Sequence, residues 1–172
     1  MPMVELIAFL RAVNVGGTGK IAMGDLKALC ERLGFENVRT YNQSGNIVFR
    51  SRRDRAKAQA LLAQALAARM KSPVVVLLRT AAELSTLLAK NPFPKAEPNR
   101  VIVFFFEKPP TKGALDGLVI PGNEEVRLMG REIFVHYPDG QGRSKLKVPQ
   151  ANTGTGRNLN TLAKLVEMAR PG

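Results

Sequence analysis

The 172-residue chain is 45% hydrophobic, enough to bury a real core as one domain or as two small ones. Its 26 Lys and Arg residues outnumber 14 Asp and Glu, giving a net charge of +12 that favours anionic partners such as nucleic acid or phosphorylated metabolites. No apolar run approaches the ~18 residues of a membrane span. The single cysteine, Cys30, excludes an intramolecular disulfide and a Cys-rich metal cluster.

Residues 4–11 are short and apolar-rich and read as a strand, broken by Gly16, Gly17 and Gly19. The first ten residues carry Glu5 and lack the basic start and cleavage site of a signal peptide, so a cytoplasmic location is expected. Helical spacing follows over 25–33, with Cys30 on the apolar face beside Leu26, Leu29 and Leu33, the position of a core cysteine. Gly34 is the expected C-terminal cap. Residues 38–43 and 46–51 predict two strands joined at Ser44-Gly45. The Ala-, Leu- and Gln-rich stretch 54–70 predicts a helix with Asp54 as its cap. A β-branched strand over 74–78 and a helix over 81–90 complete the order β-α-β-β-α-β plus one helix.

Residues 92–99 form a Pro-rich connector between an N-terminal half, 1–91, and a C-terminal half, 100–172. The second half starts with a strand over 101–107, stopped by Pro109-Pro110, and continues with a short helix over 111–118. A hairpin about Gly130-Arg131 joins 124–129 to 132–137, where the only histidine, His136, reads as an ordinary strand residue. A polar, glycine-rich loop then runs to Arg157, and a helix over 159–169 ends the chain. The expected class is α+β, two ferredoxin-like halves of which the second is incomplete. In that topology the hairpin reverses the chain after a parallel crossover. The end of the first strand and the turn at 43–46 then meet at one end of the sheet.

Four segments suit chemistry. The first is Arg11-Ala12-Val13-Asn14-Val15-Gly16-Gly17-Thr18-Gly19-Lys20. Its glycines let successive N–H groups converge on an anion, with charge from Arg11 and Lys20. The spacing is neither a Walker A loop nor a dinucleotide fingerprint, and a tight strand-to-helix connection explains the same glycines. The second is Tyr41-Asn42-Gln43-Ser44-Gly45-Asn46, where Gln43, Ser44 and Asn46 form either a self-satisfied hairpin or a ligand-facing cluster beside the glycine loop. The third is Thr153 to Thr161, with Thr153 or Thr155 capping the last helix and Arg157 in its first turn. A cation opposes the helix dipole there unless an anion binds beside it. The fourth is Arg50-Ser51-Arg52-Arg53-Asp54-Arg55, a charge run whose simplest reading is a solvated surface.

Leu10-Arg11-Ala12-Val13-Asn14-Val15-Gly16-Gly17, Thr40-Tyr41-Asn42-Gln43-Ser44-Gly45-Asn46-Ile47-Val48-Phe49, Gly142-Arg143-Ser144-Lys145-Leu146 and Thr155-Gly156-Arg157-Asn158-Leu159-Asn160-Thr161 together resemble the bacterial domain-of-unknown-function 1697 family over nearly the whole chain. The resemblance implies a pair of ferredoxin-like halves and brings no established activity. Its recurring positions are Arg11, Asn14, Gly16, Gly17, Gln43, Ser44, Gly45, Asn46, Ser144, Lys145, Arg157 and Asn158. Leu159 stands where the family usually has Trp, and residues 147–152 form a shorter stretch than usual.

Three functions follow from these readings. The first is binding of an anionic, phosphate-bearing ligand, a nucleotide or nucleic acid, at Arg11, Asn14, Gly16, Gly17, Lys20, Gln43, Ser44, Asn46, Lys145, Arg157 and Asn158, with no cofactor and no metal. The second is an enzyme acting on a small anionic substrate, against which stands the lack of paired carboxylates or an activated nucleophile. The third is a structural or interaction protein. RNA recognition by base stacking is disfavoured, because only Phe49 is aromatic around residues 44–49 and Phe104-Phe105-Phe106 alternates faces as core.

Overall fold

Alternation places Leu6, Ala8 and Leu10 on one face of the first strand, β1 (Val4–Leu10), and Ile7 and Phe9 on the other; all five are buried. The computed structural model describes residues 3–11, 20–42, 45–150 and 154–169. The chain forms two compact units, Met1–Ser85 with Leu165–Gly172, and Thr86–Lys164.

In the first unit β1 is followed by α1 (Met23–Arg32), β2 (Glu36–Tyr41), β3 (Asn46–Ser51), α2 (Arg55–Met70), β4 (Val76–Thr80) and α3 (Ala81–Ala89), whose last residues belong to the second unit. The strands form one antiparallel sheet in the order β2-β3-β1-β4. Leu6, Ala8 and Leu10 pack with Leu26, Leu29 and Cys30 of α1 and Ala58, Leu62 and Leu66 of α2, so both helices cover the same sheet face. Phe35 stacks on Phe49 with ring centroids 4.3 Å apart. Burial pushes the Cys30 thiol up to about 12, the behaviour of a core side chain and not of a nucleophile.

Local chemistry sets the element ends. Asp54 Oδ1 accepts from Lys57 N at 2.8 Å, capping α2 as expected. Thr80 and Glu83 form a reciprocal capping box on α3, which the sequence reading missed. The basic run 50–55 is tied into the fold, with Arg50 bound to Glu5, Arg52 to Glu36, Arg55 to Glu83, and Arg53 donating to the Leu33 carbonyl.

The second unit contains β5 (Val101–Phe106), β6 (Glu125–Met129), β7 (Glu132–His136) and β8 (Gly154–Asn158), followed by α4 (Leu159–Ala169), whose last residues belong to the first unit. Its strand order, β6-β7-β5-β8, repeats that of the first sheet and is again antiparallel. This half is therefore incomplete in its helices and complete in its strands. Two expectations are corrected here. Residues 111–118 form separate i→i−3 turns and not a helix, since Pro109-Pro110 precede them and Gly113 and Gly117 interrupt so short a stretch. Residues 154–158, expected as loop, pair with β5.

The register of β8 explains why it escaped notice. Gly156 lies opposite Phe104 and Gly154 opposite Phe106, and the Phe rings occupy the space of the missing side chains. A Cβ on Gly154 would stand 2.6 Å from the Phe106 ring, and one on Gly156 would stand 2.9 Å from Ile102. Phe104 and Phe106 join Ile102, Val126, Ile133, Val135, Tyr137 and Val148 in the core, flanked by Leu115, Leu118, Leu128 and Leu146. Turns and loops thus cover this sheet face where helices cover its counterpart. Gly154→Ala is expected to cost about 1–3 kcal/mol by overpacking, while Gly142→Ala, with open space around it, stays within about 0.5 kcal/mol of the parent; urea unfolding followed by circular dichroism compares them.

Candidate functional site

The residues singled out by sequence fall in separate places. Leu10 N donates to Gly45 O at 2.9 Å, so the end of β1 does meet the β2–β3 turn. Asn14, Gly16, Gly17, Gln43 and Ser44 lie outside the described residues. Arg11 is half-buried at this edge and Lys20 is exposed. Asn46 is fully buried, and its amide donates to Tyr41 O at 3.1 Å and Asn42 Oδ1 at 2.9 Å, bonds that stay within the hairpin.

Arg157 is not in the first turn of the last helix. It sits in β8, buried, donating to Thr155 Oγ1 at 2.7 Å and Gly156 O at 2.9 Å. Desolvation lowers its pKa to about 10, which leaves it charged at neutral pH. The cap of α4 is Asn158, whose Oδ1 accepts from Thr161 N at 2.8 Å, in place of Thr153 or Thr155. His136 lies in β7, 3.9 Å from Glu125, and no group of three metal-ligating side chains exists among the described residues.

Lys145, together with Ser144 of the same motif, lines a groove. Three stretches of the second unit form it: residues 121–124 leading into β6, Tyr137 and Asp139 after β7, and residues 143–145 of the following turn. The groove holds about 300 Å³, the lower end of the range for small-molecule sites. Its wall carries a buried carboxylate, Glu124, which accepts a 2.5 Å hydrogen bond from Ser144 Oγ at Oε2. Ser144 Oγ in turn accepts from Leu146 N at 3.1 Å, so one hydroxyl pins the 144–146 turn to the start of β6. Oε1 of Glu124 is buried with no hydrogen-bond partner among the described residues.

The electrostatics separate binding from catalysis. The Ser144 hydroxyl, helped by the backbone N–H groups of Glu124 and Gly122, holds the Glu124 carboxyl below its ordinary value against the opposing effect of burial. A carboxylate stabilised in this way is a poor general base, so it orients the Ser144 hydroxyl and does not activate it as a nucleophile. Burial and the Glu124 charge push the Tyr137 phenol up to about 12, which keeps it a neutral donor. Asn123 Nδ2 donates to Asp139 Oδ2 at 3.1 Å and partly occupies that carboxylate. The Arg143 and Lys145 side chains are exposed on the rim and have no ion-pair partner among the described residues.

Glu124 and Tyr137 were invisible as site residues in the sequence. Glu124 stands 20 positions from Ser144, in a polar stretch with no motif, and only the folded chain brings them together.

Among the described residues, two four-stranded antiparallel sheets and four α-helices define an α+β protein, and no helix is long and apolar enough to cross a membrane. The chain belongs to the DUF1697 family of proteins of unknown function, whose family model matches residues 3–134. The match includes Glu124 and ends before residues 142–146 and 155–161, so the whole-chain extent expected from the resemblance is not carried by it. Among solved structures the chain is similar to the conserved bacterial protein SP0830 from Streptococcus pneumoniae, at 24% identity and a TM-score of 0.81, covering 98% of this chain and 100% of that one. No curated protein matches the chain significantly.

Because the lowered pKa of Glu124 depends chiefly on Ser144, Ser144→Ala is expected to move the Glu124 titration, followed by carboxyl-carbon NMR, to higher pH. A depressed folded-state pKa contributes stability above the ordinary carboxylate range and loses it as pH falls through the folded value. The stability gap between parent and variant is therefore open at pH 7 and narrows at pH 3, as denaturant unfolding at the two values can measure.

Proposed function

We propose that the groove of the second unit binds a small anionic, phosphate-bearing ligand. The carrying observation is the pair of cations, Arg143 and Lys145, that have no ion-pair partner among the described residues, beside the rigid Glu124–Ser144 wall and the neutral Tyr137 hydroxyl. Two carboxylates, Glu124 and Asp139, share this lining; Glu124 is engaged by Ser144 and Asp139 by Asn123, which leaves the two rim cations and the Tyr137 hydroxyl to meet a phosphate, whose oxygens accept charge-assisted hydrogen bonds. The net charge of +12 supports the same reading by raising the local concentration of anions. In the first unit, by contrast, Arg39, Arg50, Arg52, Arg55 and Arg69 each pair with a carboxylate and contribute less to that field.

The repeated strand order supports a ferredoxin-like reading of both units, a fold shared with RNA-binding modules. Base stacking on an open sheet is nevertheless disfavoured. Ile47, Val48 and Phe49 of β3 and all of Leu6 to Leu10 of β1 are buried, which leaves no aromatic platform on these strands. A small ligand in a groove fits better than a polymer across a sheet. We place the protein in the cytoplasm, in keeping with its one buried thiol.

The test is calorimetric titration with pyrophosphate across a salt series. Arg143→Ala and Lys145→Ala are each expected to weaken binding about tenfold or more, as loss of a charge-assisted hydrogen bond does. Lys20→Ala leaves it unchanged. Binding abolished by Lys20→Ala and insensitive to Lys145→Ala would move the site to the end of β1. Binding lost at moderate salt and indifferent to every variant would reduce the attraction to generic charge.

A further inference from the structure

A second groove of about 360 Å³ adjoins the first, and Tyr137 and Ser144 line both. Its character differs. Phe104, Leu146 and Val148 supply apolar surface, while Gln141 and Lys147 stand exposed at its edge. The Gln141 side chain has no hydrogen-bond partner among the described residues. The apolar surface is rigid, because Phe104 and Val148 belong to the core of this unit and Leu146 packs against it.

Resting on the anion-binding reading of the first groove, we infer that the two grooves together form one site for a nucleoside monophosphate. The phosphate lies between Arg143 and Lys145. The base lies against Phe104, Leu146 and Val148, with Gln141 at its hydrogen-bonding edge. Tyr137 and Ser144 stand between the two compartments, where the sugar would pass.

The choice of ligand follows from what each alternative leaves uncovered. A free phosphate or a sugar phosphate uses the charged groove and leaves the apolar one in water. An alkyl phosphate covers the apolar surface but makes no hydrogen bond to the Gln141 amide, which stays in water. A planar heteroaromatic ring presents an apolar face to Phe104 and Val148 and a donor–acceptor edge to Gln141. Each groove falls within the ~300–1,000 Å³ usual for small-ligand sites.

Calorimetry on the full chain tests this with the four common nucleoside 5′-monophosphates, the four nucleosides, ribose 5-phosphate and a short single-stranded oligonucleotide. At least one monophosphate is expected to bind tenfold or more tightly than both ribose 5-phosphate and its own nucleoside. Gln141→Ala, an exposed and fold-neutral change, should weaken that monophosphate by about three- to tenfold and spare ribose 5-phosphate. Lys145→Ala should weaken both. If ribose 5-phosphate matches the monophosphates, the ring compartment falls and the anion site stands. If nothing bearing phosphate binds, both fall. If the oligonucleotide binds tenfold tighter than every monophosphate, a polymer site replaces the one inferred.

Discussion

Each sheet is organised around one strand that has to be covered on both faces. β1 is buried from Leu6 to Leu10, and β5 is buried over all six residues. How one of the two faces is covered differs between the units. In the first, α1 and α2 lay Leu26, Leu29, Leu62 and Leu66 across the sheet and close it. In the second, Leu115 and Leu118 of a turn-rich segment and Leu146 and Val148 of a loop cover the corresponding surface. Loops carry fewer apolar side chains per residue than amphipathic helices, and they leave recesses between them. Both adjoining grooves lie where loops stand in for helices.

The site then depends on a hydrogen bond that stiffens such a loop. Ser144 spends its proton on Glu124 and its lone pair on Leu146 N, so the 143–146 turn is held against the start of β6 by a buried, charge-assisted contact. The same bond makes Glu124 a better acceptor and a worse base. A groove whose carboxylate is committed in this way is suited to recognition. Loss of Ser144 would remove both the anchor and the reason the carboxylate stays ionised so readily.

Charge is distributed by the same logic of pairing. The run of basic residues at 50–55 lies largely at the surface, as its sequence reads, and most of its members also bond to Glu5, Glu36, Glu83 or a backbone carbonyl. These contacts join β3 to β1, α2 to α3, and the β3–α2 connector to β2 and to the end of α1. Arg157, expected in the first turn of the last helix, is buried in β8 and bonded to its own strand. Lys145, named with Arg157 in the sequence, and its neighbour Arg143 face a cavity.

The sequence by itself determined the elements whose pattern is local. Period-two and helical spacing placed β1, β5, α2 and α4 within a residue or two, Asp54 announced its own cap, and the β-α-β-β order correctly brought the end of β1 to Gly45. Tertiary structure decided the rest. β8 carries glycine where a strand usually carries bulk, and it becomes a strand only because Phe104 and Phe106 of β5 fill the space its glycines leave. The groove is likewise a product of folding, since Glu124, Tyr137 and Ser144 have no common spacing and meet through the β6–β7 hairpin and the turn after it. Periodicity records which face of an element is buried. It carries no information about which distant side chain will supply the other half of a hydrogen bond, because that partner is set by strand register and loop path.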